Sequence, residues 1–189
     1  MSHPSSGVLA AIITPLDDSG EPNFEKFHDV IEFVLGRGVS GIVIGGGTGE
    51  YPHLALKDRI ALTAQATRQV KGRAFVVASV GTSSIHSTIR LALAAEQAGC
   101  DALLIPMPYF FRYEQQDLDA FARQVCEKVS LPCLLYNLPS FTNPLDVDTA
   151  IGLLNSVPNL VGMKDSSGDL NNLRPLVDAR QSRKFSLFV

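Results

Sequence analysis

The chain has 189 residues, 46% of them hydrophobic and 19% charged, with a formal net charge of −3. That balance excludes an intrinsically disordered chain, and the length leaves room for one domain with a sizeable core. The slight acidity, with no basic cluster or aromatic-basic stripe, argues against nucleic acid as the main partner.

The opening residues, Met1 to Gly7, lack the basic start and apolar stretch of a signal peptide. No apolar run reaches the roughly 20 residues of a membrane helix, so no membrane partner is expected. Cys100, Cys126 and Cys133 are odd in number and lack CxxC spacing. Core packing in a reducing, cytoplasmic compartment is expected of them rather than disulfides or zinc. His3, His28, His53 and His86 show no metal-ligand spacing, and no metal is assigned.

Apolar strand-like runs open near Val8, Gly41, Ala74, Asp101, Pro132, Asn159 and Phe185, with helical patterns between them. The repeat is roughly 25–35 residues, the size of a βα unit. Strand one is expected over Val8–Thr14, stopped by Pro15. Asn23 is placed to cap a helix over Phe24–Leu35, ended by Gly36 and Gly38. Strand two, Ile42–Ile44, runs into Gly45-Gly46-Gly47-Thr48-Gly49-Glu50. A helix over Lys57–Lys71 and a strand over Phe75–Val80 follow. Ser83 or Ser84 caps the next helix, which ends by Gly99. Strand four, Ala102–Ile105, leads to Pro108-Tyr109-Phe110-Phe111, and a helix over Gln115–Val129 comes next. Strand five carries Cys133 to Asn137. Asp146 caps a short helix that ends before Pro158. Strand six carries Leu160 to Lys164. Helix six should start near Asn171 or Asn172, since Pro175 fits only a first turn or a kink. Phe185–Val189 reads as a seventh strand.

Such alternation predicts a parallel sheet with helices outside it. A closed (β/α)8 barrel needs eight strands and about 250 residues. The expectation is therefore an α/β protein, a TIM (β/α)8 barrel of which about six and a half βα units are present. Residues 1–189 would be a single barrel domain, C-terminally incomplete. An open doubly wound sheet is the alternative.

Two residues organise the chemistry. Tyr136 and Lys164 stand near the ends of strands five and six, joined by one helix-length connection, so the strands should be parallel neighbours. Alternation puts Leu134 with Tyr136, and Leu160 and Gly162 with Lys164, on the inward face. A lysine in an apolar wall loses solvation, which favours the neutral amine that attacks a carbonyl. A phenol beside it can pass a proton. The bland readings are a surface ion pair for Lys164 and a core tyrosine for Tyr136. The glycine-rich segment offers backbone N–H groups, and Thr48 a hydroxyl, to a carboxylate or phosphate. It is not a P-loop, since no Gly-Lys-Ser/Thr follows. The same segment reads equally well as a plain structural turn. Pro108–Phe111 lines a pocket, forms a subunit contact, or simply packs over the rim.

Four motifs, Gly46-Gly-Thr-Gly-Glu50, Pro108-Tyr109, Tyr136-Asn-Leu-Pro139 and Gly162-Met-Lys-Asp165, in this order and spacing, resemble the dihydrodipicolinate synthase/N-acetylneuraminate lyase family of pyruvate-type class I aldolases. The resemblance runs from Ala11 to Val189. It implies a TIM barrel, assembled as a homo-oligomer (dimer or tetramer), that acts on a 2-keto acid and an aldehyde without metal or organic cofactor. It implies that Lys164 forms the Schiff base and that Tyr136 shuttles protons. Thr48, with the backbone of Gly46 and Gly47, would hold the keto acid's carboxylate. Three positions depart from the family pattern. Gly47 stands where a relay Thr or Ser is frequent, and Phe110 where some members place a tyrosine lent to a neighbouring subunit. Phe141 replaces an arginine that dihydrodipicolinate synthases use near the substrate, and losing a bidentate cation is not conservative. The distal substrate half is therefore expected to be less acidic or more apolar than aspartate semialdehyde. A sugar-acid dehydratase using the same imine, a non-catalytic keto-acid-binding barrel, and a phosphate-binding barrel are the rivals.

Overall fold

The computed structural model describes residues 7–181 and 183–189. His3, with the rest of the opening hexapeptide weighed above for a signal peptide, lies outside the described residues. Seven strands, β1 (Leu9–Ala11), β2 (Gly41–Ile44), β3 (Phe75–Ser79), β4 (Ala102–Pro106), β5 (Cys133–Asn137), β6 (Leu160–Asp165) and β7 (Ser186–Phe188), form one sheet in sequential order. Every neighbouring pair is parallel. Six α-helices connect them: α1 (Phe24–Leu35), α2 (Leu56–Val70), α3 (Ile85–Ala98), α4 (Gln115–Cys126), α5 (Val147–Ser156) and α6 (Leu170–Ala179). A doubly wound sheet reverses its strand order at a switch point; this one never does. The alternative is thereby excluded, and the architecture is that of an incomplete (β/α)8 barrel, open between β1 and β7 among the described residues.

Local sequence explains most boundaries. The Asn23 side chain accepts a hydrogen bond from the Lys26 N–H at 2.9 Å and starts α1. That helix buries Phe27 and Ile31 completely, four residues apart on one face. Ser84 caps α3, and Gly99 ends it in the left-handed conformation at φ +86°. Some boundaries differ from expectation. The first strand is only Leu9–Ala11, because its last residues leave the ladder to hold the turn after β2: Thr14 Oγ1 donates to the Gly49 carbonyl at 2.9 Å. Asp146 occupies the N-cap of α5 without a side-chain cap bond. Helix α6 begins at Leu170, capped by Asp169, whose carboxylate accepts from the Asn171 N–H at 2.8 Å. Pro175 consequently lies inside α6, beyond its first turn, where it removes one backbone donor.

The sheet separates two apolar layers. Ile42, Val76, Leu103, Leu135 and Met163 pack outward against the helices. Val43, Val77, Leu104, Leu134 and Tyr136 pack inward on one another. Strand β6 breaks the simple alternation expected of it. Cys133 pairs with Leu160, but Leu134 pairs with Gly162, so Val161 is an extra residue in the ladder. Leu160 faces the helices, not the interior, and the partly buried Val161 packs on the inner layer instead. Beyond this bulge Gly162 and Lys164 are inward, as expected. A Cβ on Gly162 would lie 2.5 Å from the Ser186 carbonyl oxygen and 2.8 Å from Leu134 Cδ2, so only glycine lets β5, β6 and β7 approach this closely.

Candidate active site

Lys164 and Tyr136 are register partners at the C-terminal ends of β6 and β5. The lysine Nζ donates to the Tyr136 hydroxyl at 3.2 Å and lies 4.3 Å from the centre of the tyrosine ring. Tyr136 is 4% exposed, whereas Lys164 is half-buried. A cavity of about 270 Å³ adjoins the lysine, with Leu9, Val43, Val77, Leu104, Leu134 and Phe188 among its walls. Lys164 is the one charged side chain in that lining. An amine on an apolar wall against a phenol is the arrangement the strand pattern implied.

The residues after the pair fix its register. The Asn137 amide donates to the Asp165 carboxylate at 2.8 Å, and the Asn137 side-chain carbonyl accepts from the Leu145 N–H at 3.1 Å. The Ser166 N–H donates to the Asn137 carbonyl at 2.9 Å, and the Ser167 N–H to Asp165 at 3.0 Å. Asn137 and Asp165 are 2% and 5% exposed, so this clamp sits in a dry environment where each bond counts for more. Both residues belong to the motifs noted in the sequence, which alone gives neither of them a role. Their adjacency to the two strand-end side chains was the available signal.

The glycine-rich segment leaves β2 through Gly45 at φ +62° and forms two short 3-10 helices, Gly47–Gly49 and Tyr51–His53. Gly46 is buried, and Gly47 and Thr48 are exposed. A Cβ on Gly47 would meet nothing nearer than Leu138 Cδ2 at 4.0 Å, so this turn faces the exit of β5. Behind it lies a residue the sequence did not single out. Arg59, on α2, is 5% exposed and donates to the carbonyls of Gly81 at 2.7 Å and Ser79 at 2.9 Å. Its guanidinium carbon stands 5.1 Å from the centre of the Tyr51 ring. Burial pulls the Arg59 pKa down to about 10, opposed by Tyr51 and Tyr109. The exposed loop after β4 is tied to the loop after β5 by Asn143, whose amide donates to the carbonyls of Pro108 at 2.7 Å and Phe111 at 2.8 Å.

The three aromatic positions singled out from sequence lie on the rim. Phe110, Phe111 and Phe141 are 84%, 65% and 77% exposed, and Phe110 and Phe111 stack edge to face with centroids 4.9 Å apart. Phe110 adopts φ +84°, an unusual backbone for a bulky side chain. Among the described residues no group of three or more His, Cys, Asp or Glu side chains is arranged to hold a metal, and no helix is long and apolar enough to cross a membrane.

A parallel βα array with a lysine–phenol pair at the C-terminal strand ends places the chain among barrel proteins that carry their chemistry on that face. The profile of the Dihydrodipicolinate synthetase family matches residues 4–188, and the chain belongs to that family. It is 34% identical over 171 residues to the 4-hydroxy-tetrahydrodipicolinate synthase of Bacillus subtilis (strain 168), covering 90% of this chain and 59% of that protein. The structure of the chloride-inhibited dihydrodipicolinate synthase from Acinetobacter baumannii, complexed with pyruvate, superposes with a TM-score of 0.91 at 32% identity, over 97% of this chain and 62% of that one. YagE from E. coli K12, a prophage protein of the same family in complex with pyruvate, superposes with a TM-score of 0.92 at 27% identity, over 96% of this chain and 62% of that one. The chain thus spans about three fifths of the length of these relatives.

Proposed function

We propose that this chain carries the Schiff-base half of a class I aldolase or lyase acting on a 2-keto acid. The observation that carries the reading is the 3.2 Å contact from Lys164 Nζ to the Tyr136 hydroxyl, at register-paired positions on adjacent strands. The amine attacks the keto carbon, and the phenol moves the protons that turn the carbinolamine into an iminium. The iminium withdraws electrons from the neighbouring carbon, so a carbon–carbon or carbon–oxygen bond beyond it can break or form. Two relatives whose structures were determined with pyruvate support that keto acid as the substrate half. Thr48 and the backbone N–H groups of Gly46 and Gly47, on the turn beside β5, would hold its carboxylate.

The distal half is less acidic or more apolar than aspartate semialdehyde. What favours this is Phe141, an exposed aromatic ring on the rim where a carboxylate-reading cation would serve an acidic aldehyde. Kinetics with a panel of aldehydes tests it, and a clear preference for aspartate semialdehyde would overturn it. The chain forms one barrel domain, works in the cytoplasm, where its three free buried cysteines stay reduced, and assembles as a homo-oligomer through the rim that carries Phe110 and Phe111.

Borohydride reduction in the presence of pyruvate is the decisive experiment. A covalent adduct mapped to Lys164 is expected; none at Lys164, with pyruvate bound, would sink the reading in favour of a non-catalytic binder.

A further inference from the structure

The amine and the phenol sit on a short length of ladder. Beyond the bulge at Val161, β5 and β6 pair over four positions, from Leu134–Gly162 to Asn137–Asp165, and Tyr136–Lys164 is the third. A bulge is where pairing can shift, and a shift of one residue moves a side chain about 3.3 Å along the strand and onto the other face. The last pair guards against that. Leu135 and Met163 face the helices, and Asn137 and Asp165, two residues on, share that face, so neither points at the keto acid.

Neighbours on each strand's own loop leave both side chains a single orientation. The Leu145 N–H donates to Asn137 Oδ1 at 3.1 Å, and a donor cannot face the amide's nitrogen, so that nitrogen is turned to β6. On β6 the N–H and the hydroxyl of Ser167 both donate to Asp165 Oδ1, which leaves Oδ2 for Asn137. The 2.8 Å bond between the two therefore has a fixed polarity, donor on β5 and acceptor on β6. At 2% and 5% exposure, bulk water cannot stand in for a mismatched partner.

We propose that Asn137 and Asp165 are positioning residues for the imine chemistry: the polarity of their bond fixes the register that keeps the Tyr136 phenol on the Lys164 amine. The proposal rests on the Lys164 imine reading and deepens it. Neither residue exchanges a proton or touches the keto acid. Mispairing them loosens the strand ends and misplaces the phenol, and a misplacement of about 1 Å costs on the order of 10²-fold in such a step.

Exchanging the two residues tests it. Asp165→Asn alone sets two amide nitrogens against each other, and Asn137→Asp alone two carboxylates. The double variant carrying Asn137→Asp and Asp165→Asn restores every bond with the polarity reversed. The donors of Leu145 and Ser167 still meet oxygen, and the amide now on β6 donates to the carboxylate now on β5. Timed borohydride quenching over a series of pyruvate concentrations gives the limiting rate constant of imine formation, the half-saturating concentration and the yield at Lys164. A merely structural role lowers the yield, because fewer molecules are folded, and leaves the rate constant alone. Each single variant should lower the limiting rate at least about tenfold, with half-saturation within about twofold of the parent, and the double variant should return to within about threefold of the parent. A parent-like rate constant in either single variant, or a double variant no faster than the singles, overturns the inference and leaves the imine reading intact. If the single variants fail to fold, Ser167→Ala stands in for them, since it frees Asp165 from one of its two loop donors. Its rate constant should then fall at least about threefold, the scale of one net hydrogen bond, and an unchanged value refutes the inference. No adduct at Lys164 in the parent chain overturns both readings.

Discussion

The exits of β6 and β2 would carry the two halves of the proposed site, and they are built differently. At β5 and β6 the proposed working groups are side chains on paired strands, just past the bulge at Val161, and their placement follows from register. Tyr136 lies opposite Lys164 because β5 and β6 pair there, and the Asn137–Asp165 bond locks that pairing one residue later. At β2 the chain is irregular, with a left-handed Gly45, two 3-10 turns and a left-handed Glu50 at φ +55°. A buried cation from α2 stands over its Tyr51 ring and is anchored to carbonyls at the end of β3. The difference teaches that one half of the proposed site is specified by strand pairing, bulge included, and the other by a tertiary buttress. Removing a group should therefore cost chemistry in the first region and stability in the second.

The largest effect is expected at the strand pair. Tyr136→Phe should slow imine formation with pyruvate by about 10²–10⁴-fold while leaving the melting temperature near that of the parent. Timed borohydride quenching beside a thermal melt reads both, and an undiminished rate would remove the phenol from the mechanism. The buttress comes next. Arg59→Met strips a charged donor from two buried carbonyls and should cost about 2–4 kcal/mol in urea unfolding. An unchanged midpoint would mean that the turn holds itself. Gly162→Ala probes the strand that carries Lys164, since its Cβ would press on the Ser186 carbonyl across the β6–β7 ladder. A loss of about 1–3 kcal/mol is expected, the usual cost of overpacking.

The smallest effect belongs to a control outside both regions. Glu32 on α1 is held at about 2, against 4.5 unperturbed, first by its hydrogen bond from Arg73 and then by that from Gln69. A depressed carboxyl stabilises the fold above its unfolded value of 4.5, and this contribution is lost as the pH falls through about 2. Because the ion pair stands at the surface, with the Glu32 side chain 40% exposed, Glu32→Gln should lower the melting temperature less than either stability variant, and less again in acid. A larger drop than that of Arg59→Met would mean that the Arg59 buttress is not the stronger support.

The parts of this fold that depend on periodicity were readable from the chain alone. Helix α1 begins and ends where Asn23 and Gly36 indicate, and all seven strands occur near where apolar runs start. Lys164 and Tyr136 could be paired because two strands with one crossover between them are neighbours. What escaped is what periodicity does not encode. Arg59 sits in an amphipathic helix as an ordinary charged residue, and nothing local says that its guanidinium reaches Ser79, twenty positions on. Tyr51 follows a glycine run that gives no period to count. Pro175 suggested a later start for α6, but the Asp169 cap and the burial of Leu176 outweigh one missing donor.

The extra residue at Val161 has a consequence for how this site can change. Counted outward from Leu160 on an unbroken two-residue rhythm, Lys164 would face the helices and be sealed away from any carbonyl. The single unit of slack between Cys133 and Leu134 on one strand, and Leu160 and Gly162 on the other, reverses that phase just before the lysine. The direction in which Lys164 faces is set by strand length as much as by residue identity. An insertion or deletion within Leu160–Met163 could silence the amine, or restore it, without altering one atom of the lysine itself.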